Sequence, residues 1–137
     1  EEPSEPAQPV KQDGIDNYLG EWYITDYGMP EIGENGETIS SGTTLSIYKD
    51  GNQYKLDMMA LYHSTAFVGV DSLVLNVNGN LATTSYEEDG WNNCGDITLE
   101  FANGELYVTA TAIQMSDPYY GDAYNLAADH MHCTRVG

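Results

Sequence analysis

Three short turn sequences constrain this chain of 137 residues more than any other feature: Asp50-Gly51-Asn52, Asn78-Gly79-Asn80 and Asn103-Gly104. Tight hairpins need positive φ at their central positions, which is why Asn-Gly and Asp-Gly dominate them. Each turn here stands between runs in which every second residue is apolar, the pattern of a strand with one buried face. Leu45 and Ile47 lead into the first turn, and Tyr54, Leu56 and Met58 lead away from it. Ser72 to Val77 places Leu73, Leu75 and Val77 on one face before the second turn, and Leu81–Tyr86 returns. Ile97, Leu99 and Phe101 alternate before the third, with Leu106, Val108 and Ala110 after it.

The remaining segments fit the same plan. Gly20 to Tyr27 reads as the first strand, with Trp22, Ile24 and Asp26 on one side. Met29 to Gly42 reads as a long loop, rich in Gly and acids around Pro30. Leu61 to Val70 is β-prone, and His130 to Val136 reads as the last strand. Between Asp117 and Asp129, Tyr120, Ala123, Tyr124, Ala127 and Ala128 recur at helical spacing, with Asp117 as N-cap and Pro118 in the first turn. The expectation is an all-β fold: one antiparallel up-and-down barrel of about eight strands, with a short helix or ordered loop before the last strand.

Residues 1–17 are rich in Pro and Glu and read as a disordered spacer, with the barrel domain spanning residues 18–137. A chain that starts at Glu, without Met, suggests a removed leader or a trimmed sequence, and such a spacer fits export to the cell surface or outside the cell, with lipid anchoring one route. No run approaches the ~20 apolar residues that span a bilayer. Cys94 and Cys133 then suggest one disulfide, the alternative being two thiols in a reducing compartment.

Charge narrows the partners. The chain carries 22 acidic and 4 basic side chains, a net charge of −18, of which the body from Tyr18 onward holds −14. Nucleic acid is excluded, because binding it requires Lys and Arg to displace counterions. Anionic membrane surfaces are disfavoured on the same ground. Self-repulsion of this size favours a soluble monomer.

Gly20-Glu21-Trp22 at the start of the meander, together with Arg135 at its end, resembles the lipocalin and wider calycin group. The likeness extends to small lipocalin-like proteins exported by bacteria, through segments such as LSIYKDGNQYKLDM and ITLEFANGELYVTA. It covers roughly Tyr18 to Val136. The resemblance implies a barrel whose closed end is plugged by Trp22 and capped by Arg135, and it implies no catalytic residue. The chain is shorter than true lipocalins, and its helix-like stretch precedes the last strand.

No nucleophile elbow, Cys-His couple or phosphate loop is present, and the expectation is a protein that is not an enzyme and needs no cofactor. His130 and His132 share a strand face and could meet a metal with His63, but no ligand motif surrounds them. Asp89, Asn92, Asn93 and Asp96 supply oxygen ligands without the spacing of a calcium loop. Neither set is taken as a metal site. Trp91, Tyr119, Tyr120 and Tyr124 are the candidate rim of a ligand site, with Tyr54 and Met58 below them. The leading expectation is an exported binding protein that holds a small molecule in or at the mouth of the barrel. The alternative is a surface module with a filled barrel, contacting protein or glycan through acidic and aromatic loops.

Overall fold

The computed structural model describes residues 14–36, 38–61, 67–88, 93–115, 126 and 128–136. Ile15–Tyr18 forms a 3-10 turn in which Ile15 and Tyr18 are buried. Residues 15–17 of the expected spacer thus belong to this turn, and residues 1–13 lie outside the described residues. Ile15 supplies apolar surface that the spacer composition around it had masked.

Strands β1 (Gly20–Ile24), β4 (Gly42–Asp50), β5 (Gln53–Leu61) and β6 (Phe67–Val74) form one side of the main sheet. The other side is β7 (Asn76–Asn78), β8 (Leu81–Tyr86), β9 (Asn93–Ala102), β10 (Glu105–Met115) and β11 (Ala128–Arg135). All pairings are antiparallel, in the order β6-β5-β4-β1-β11-β10-β9-β8-β7. The expected antiparallel barrel is thus the observed architecture, nearly closed and compatible with a calycin-like fold. A separate ribbon, β2 (Glu31–Ile32) with β3 (Thr38–Ser40), occupies the expected long loop.

Three boundaries differ from expectation, each for a tertiary reason. The first strand stops at Ile24 because the amides of Tyr27 and Gly28 both turn back onto its carbonyl. The last strand begins at Ala128, so the end of the Asp117–Asp129 helical pattern is extended chain; residues 116–125 and 127 lie outside the described set. Pairing of Ala110 with Ala128 supplies the backbone bonds that win over the weak helical spacing there.

The third difference is the one that closes the barrel. Ser72 to Val77, expected as one strand, is two, broken at Leu75. Leu75 donates its amide to the Tyr54 carbonyl at 2.8 Å, the last bond to β5, and the next residue, Asn76, pairs with Thr83 of β8. The two outermost strands of the sheet are therefore consecutive in the chain. Upstream of the bend, Ser72 takes φ +58°, and Asp57 accepts its amide at 2.8 Å and the Tyr48 hydroxyl at 3.1 Å. Asp57 thereby satisfies a polar group that the irregular ladder leaves over.

The inward positions form one contiguous cluster that includes Ile24, Leu45, Ile47, Leu56, Met58, Val68, Leu75, Ile97, Leu99, Phe101, Leu106 and Val108, all buried. Tyr54 and Leu73 pack against it half-buried. Burying each large aliphatic side chain contributes roughly 1.5–3 kcal/mol.

The base of the barrel is built around Trp22. Its partner across the β1–β11 ladder is Arg135, whose guanidinium carbon lies 4.3 Å from the indole centroid. The same guanidinium donates to the carbonyls of Leu19 and Asn17, each at 2.8 Å. The indole N–H donates to the Tyr18 carbonyl at 3.0 Å, and the Tyr18 ring lies 5.0 Å from that of Phe101. Gly20 is required here: it sits at φ +127°, and a Cβ on it would meet Arg135 Nη1 at 3.0 Å. Arg135→Ala removes two charge-assisted hydrogen bonds and the stacking, a loss of about 2 kcal/mol. The expected outcome is a fall in melting temperature of about 5–10 °C, followed by circular dichroism.

Candidate functional site

The strand ends sort by chemistry. The three Gly turns lie at the Trp22 end, where the Gly104 amide donates to the Tyr18 hydroxyl at 2.9 Å. The ribbon and the ends of β5, β8 and β10 lie at the opposite end. Trp91, Tyr119, Tyr120 and Tyr124, the expected rim, lie outside the described residues, as do His63, Asp89 and Asn92. Met58 is part of the packed interior. Tyr54 sits at the base, where its hydroxyl donates to Asp16 at 2.7 Å. That hydrogen bond, with burial and the Asp16 charge behind it, raises the pKa of the phenol. Tyr54 thus ties the 3-10 turn to β5.

The expected disulfide is overturned. Cys94 pairs in register with Gln114 and Cys133 with Leu106, so eight residues of β10 separate their positions, about 26 Å of extended chain. A disulfide requires Cα atoms within about 7 Å. No bond joins the two. Spacing along the sequence says nothing about which rung of a barrel each cysteine occupies.

A hollow of about 550 Å³ does exist, on the outside of the barrel. Glu21 of β1, Thr44 and Ser46 of β4, Asp57 and Met59 of β5, and Gly69 and Asp71 of β6 line it, with Leu45, the sequence candidate Met58, and Val70 also bordering it. The lining residues other than these three alternate with the buried Trp22, Leu45, Met58 and Val68, so their side chains project from the face opposite the core. Glu21 stands directly across from Ser46, Ser46 from Asp57, Thr44 from Met59, and Met59 from Gly69. The depression arises because small residues at 44 and 46 on β4 and at 69 on β6 flank β5 from either side. Carboxylates at Glu21, Asp57 and Asp71 give it negative charge. Glu21 and Asp71 are exposed, whereas Asp57 is already engaged by Tyr48 and Ser72.

A second polar cluster lies on the outer face of β9, β10 and β11. His130 Nε2 is 2.8 Å from Glu100 Oε1, and His132 Nε2 is 2.5 Å from Glu105 Oε1. The His130 ring stacks parallel on Tyr107 at 4.6 Å. His132 Nδ1 is 3.1 Å from the Thr25 hydroxyl, which meets the Thr134 hydroxyl at 2.6 Å. Each histidine takes its own carboxylate, and the two do not converge. Among the described residues no group of three or more His, Cys, Asp or Glu side chains is placed to hold a metal ion. The cluster reads as a set of cross-strand pairs that reinforces β11 against its neighbours.

No family model, curated protein or solved structure matches the chain. Among the described residues no helix is long and apolar enough to cross a membrane.

The outer hollow escaped the sequence reading because its residues are spread over four strands. The only signal was the small outward residues Thr44, Ser46 and Gly69, and register is needed to bring them together. Cys133 yields a direct test of the placement. It is buried beside Ile24 and Leu106, and burial pushes its thiol from the ordinary 9.0 up to about 12. The thiolate is the reactive form. In folded protein at pH 8, iodoacetamide should leave Cys133 unmodified, and labelling should follow addition of denaturant, read by peptide mass spectrometry.

Proposed function

We propose that this chain is an exported, non-enzymatic recognition module of calycin type that meets a cationic partner on the outside of its barrel. The observation that carries this reading is the charged hollow on the outer face, opposite a set of inward side chains that are buried together. A carrier of small molecules needs an enclosed space of some 300 Å³ or more, and the inward residues Leu45, Met58, Val68, Leu99 and Phe101 all belong to one buried cluster. The alternative drawn from sequence, a surface module with a filled barrel, is thus the better supported of the two.

Calycin kinship is supported by the Gly20-x-Trp22 strand and the Arg135 stack, although fold does not fix function. Export is supported by the composition of the spacer. The chemistry of the partner follows from charge. With −14 on the body and Glu21, Asp57 and Asp71 around the hollow, Lys or Arg side chains are attracted and anions repelled.

A fluorescein-labelled oligolysine peptide provides the probe, with oligoglutamate as control, read by anisotropy. Oligolysine should bind, and binding should weaken about tenfold between 20 and 300 mM salt as exposed charges are screened. Glu21→Gln with Asp71→Asn should weaken it about fivefold, because two exposed attractions of a few tenths of a kcal/mol each are removed. Glu88→Gln, outside the hollow, should leave it unchanged. Equal binding by all variants, or saturable uptake of a fatty acid at one per chain, would favour the carrier.

A further inference from the structure

The ribbon between β1 and β4 displays a feature that the acidic hollow does not explain. Ile32 is 53% exposed, Ile39 50%, Tyr27 46% and Met29 41%. Four large apolar side chains thus face solvent within one connection of the chain, while single exposed ones are ordinary. Two-stranded ribbons are marginal by themselves, yet this one is held against the barrel. A Cβ on Gly42 would lie 2.4 Å from the Gly28 carbonyl oxygen and 2.7 Å from the Pro30 nitrogen, so the chain entering the ribbon rests directly on β4. The Ser40 hydroxyl donates to the Met29 carbonyl at 3.2 Å, joining the two ends of the excursion. Anchoring of this kind presents the apolar side chains without burying them.

The ribbon also retains open strand edges: among the described residues β2 and β3 pair only with each other. Unpaired edges are templates for an added strand. Charge selects the occupant. Asp26, Glu31 and Glu34 are exposed in the same connection, and the four basic residues, Lys11, Lys49, Lys55 and Arg135, all lie elsewhere in the sequence. A second copy, carrying −18, is repelled, and so is an anionic lipid surface. We infer that the β2–β3 ribbon is a docking edge for an extended segment of another protein in which apolar and basic residues alternate. Its apolar positions would cover Ile32 and Ile39, and its basic positions would meet Glu31 and Glu34.

A short synthetic peptide alternating valine and lysine serves as the probe, with valine and glutamate as the control. Bound to the wild-type chain, it should slow amide hydrogen exchange at Glu31, Ile32 and Thr38–Ser40. Ile32→Ser with Ile39→Ser, two exposed positions, should weaken binding about tenfold. Glu21→Gln with Asp71→Asn, which weakens any attraction of the lysines to the outer hollow, should leave the protection at Glu31, Ile32 and Thr38–Ser40 unchanged, which separates this inference from the reading of the outer hollow. Because the exchange footprint is taken on unaltered protein, it holds even if the ribbon variant folds poorly. Absence of binding, protection confined to other strands, or equal affinity in a folded ribbon variant would overturn the inference. So would sedimentation showing that the wild-type chain dimerises through the ribbon, or its adsorption to phosphatidylserine vesicles.

Discussion

The pairing of β1 with β11 is the constraint on which the rest of this structure depends. It joins the two ends of the ordered chain, and every other strand lies on one side or the other of that seam. Trp22 and Arg135 fix its register. A slip of one residue would turn the indole out to solvent and carry the guanidinium away from the Leu19 and Asn17 carbonyls. With that register set, Ile24 and Cys133 face inward together, and Tyr18 is held against Phe101. The second closure, at Leu75, requires only that the chain change partners.

Solid packing has a consequence for function. Because the inward residues of β1, β4, β5, β9 and β10 are buried in one cluster, the proposed recognition surface is made of outward residues. Those residues fall into separate zones: an acidic depression on β1, β4, β5 and β6, paired histidines and carboxylates on β9, β10 and β11, and an apolar ribbon at the end away from Trp22. The charge of −18 unites them by setting the sign of any partner. Charge of this size also opposes self-association, which suits a chain that exposes Ile32 and Ile39.

Much of the architecture was legible because it is local. The turn residues announce their own conformation: Gly51, Gly79 and Gly104 take positive φ, as does Asn103 at +57°. Alternation then placed Leu45, Ile47, Leu99 and Phe101 inside, and Gly20-x-Trp22 with Arg135 identified the base. What escaped depends on register between distant segments. The run from Ser72 to Val77 alternates without interruption, and nothing in it reveals that β5 and β8 claim different halves. Cys94 and Cys133 looked pairable only because the rungs they occupy were unknown. Thr44, Ser46 and Gly69 are unremarkable singly and form a hollow only side by side.

Native-state hydrogen exchange across the seam tests the central claim most directly. If Trp22 and Arg135 clamp the terminal strands, the hydrogen-bonded amides from Trp22 to Ile24 and from Cys133 to Arg135 should exchange only through global unfolding. Their opening free energy should equal that of Leu99 and Val108 in the interior strands. Exchange of the terminal amides at a markedly lower free energy, while the interior remains protected, would mean that the seam frays and that the barrel is held together elsewhere.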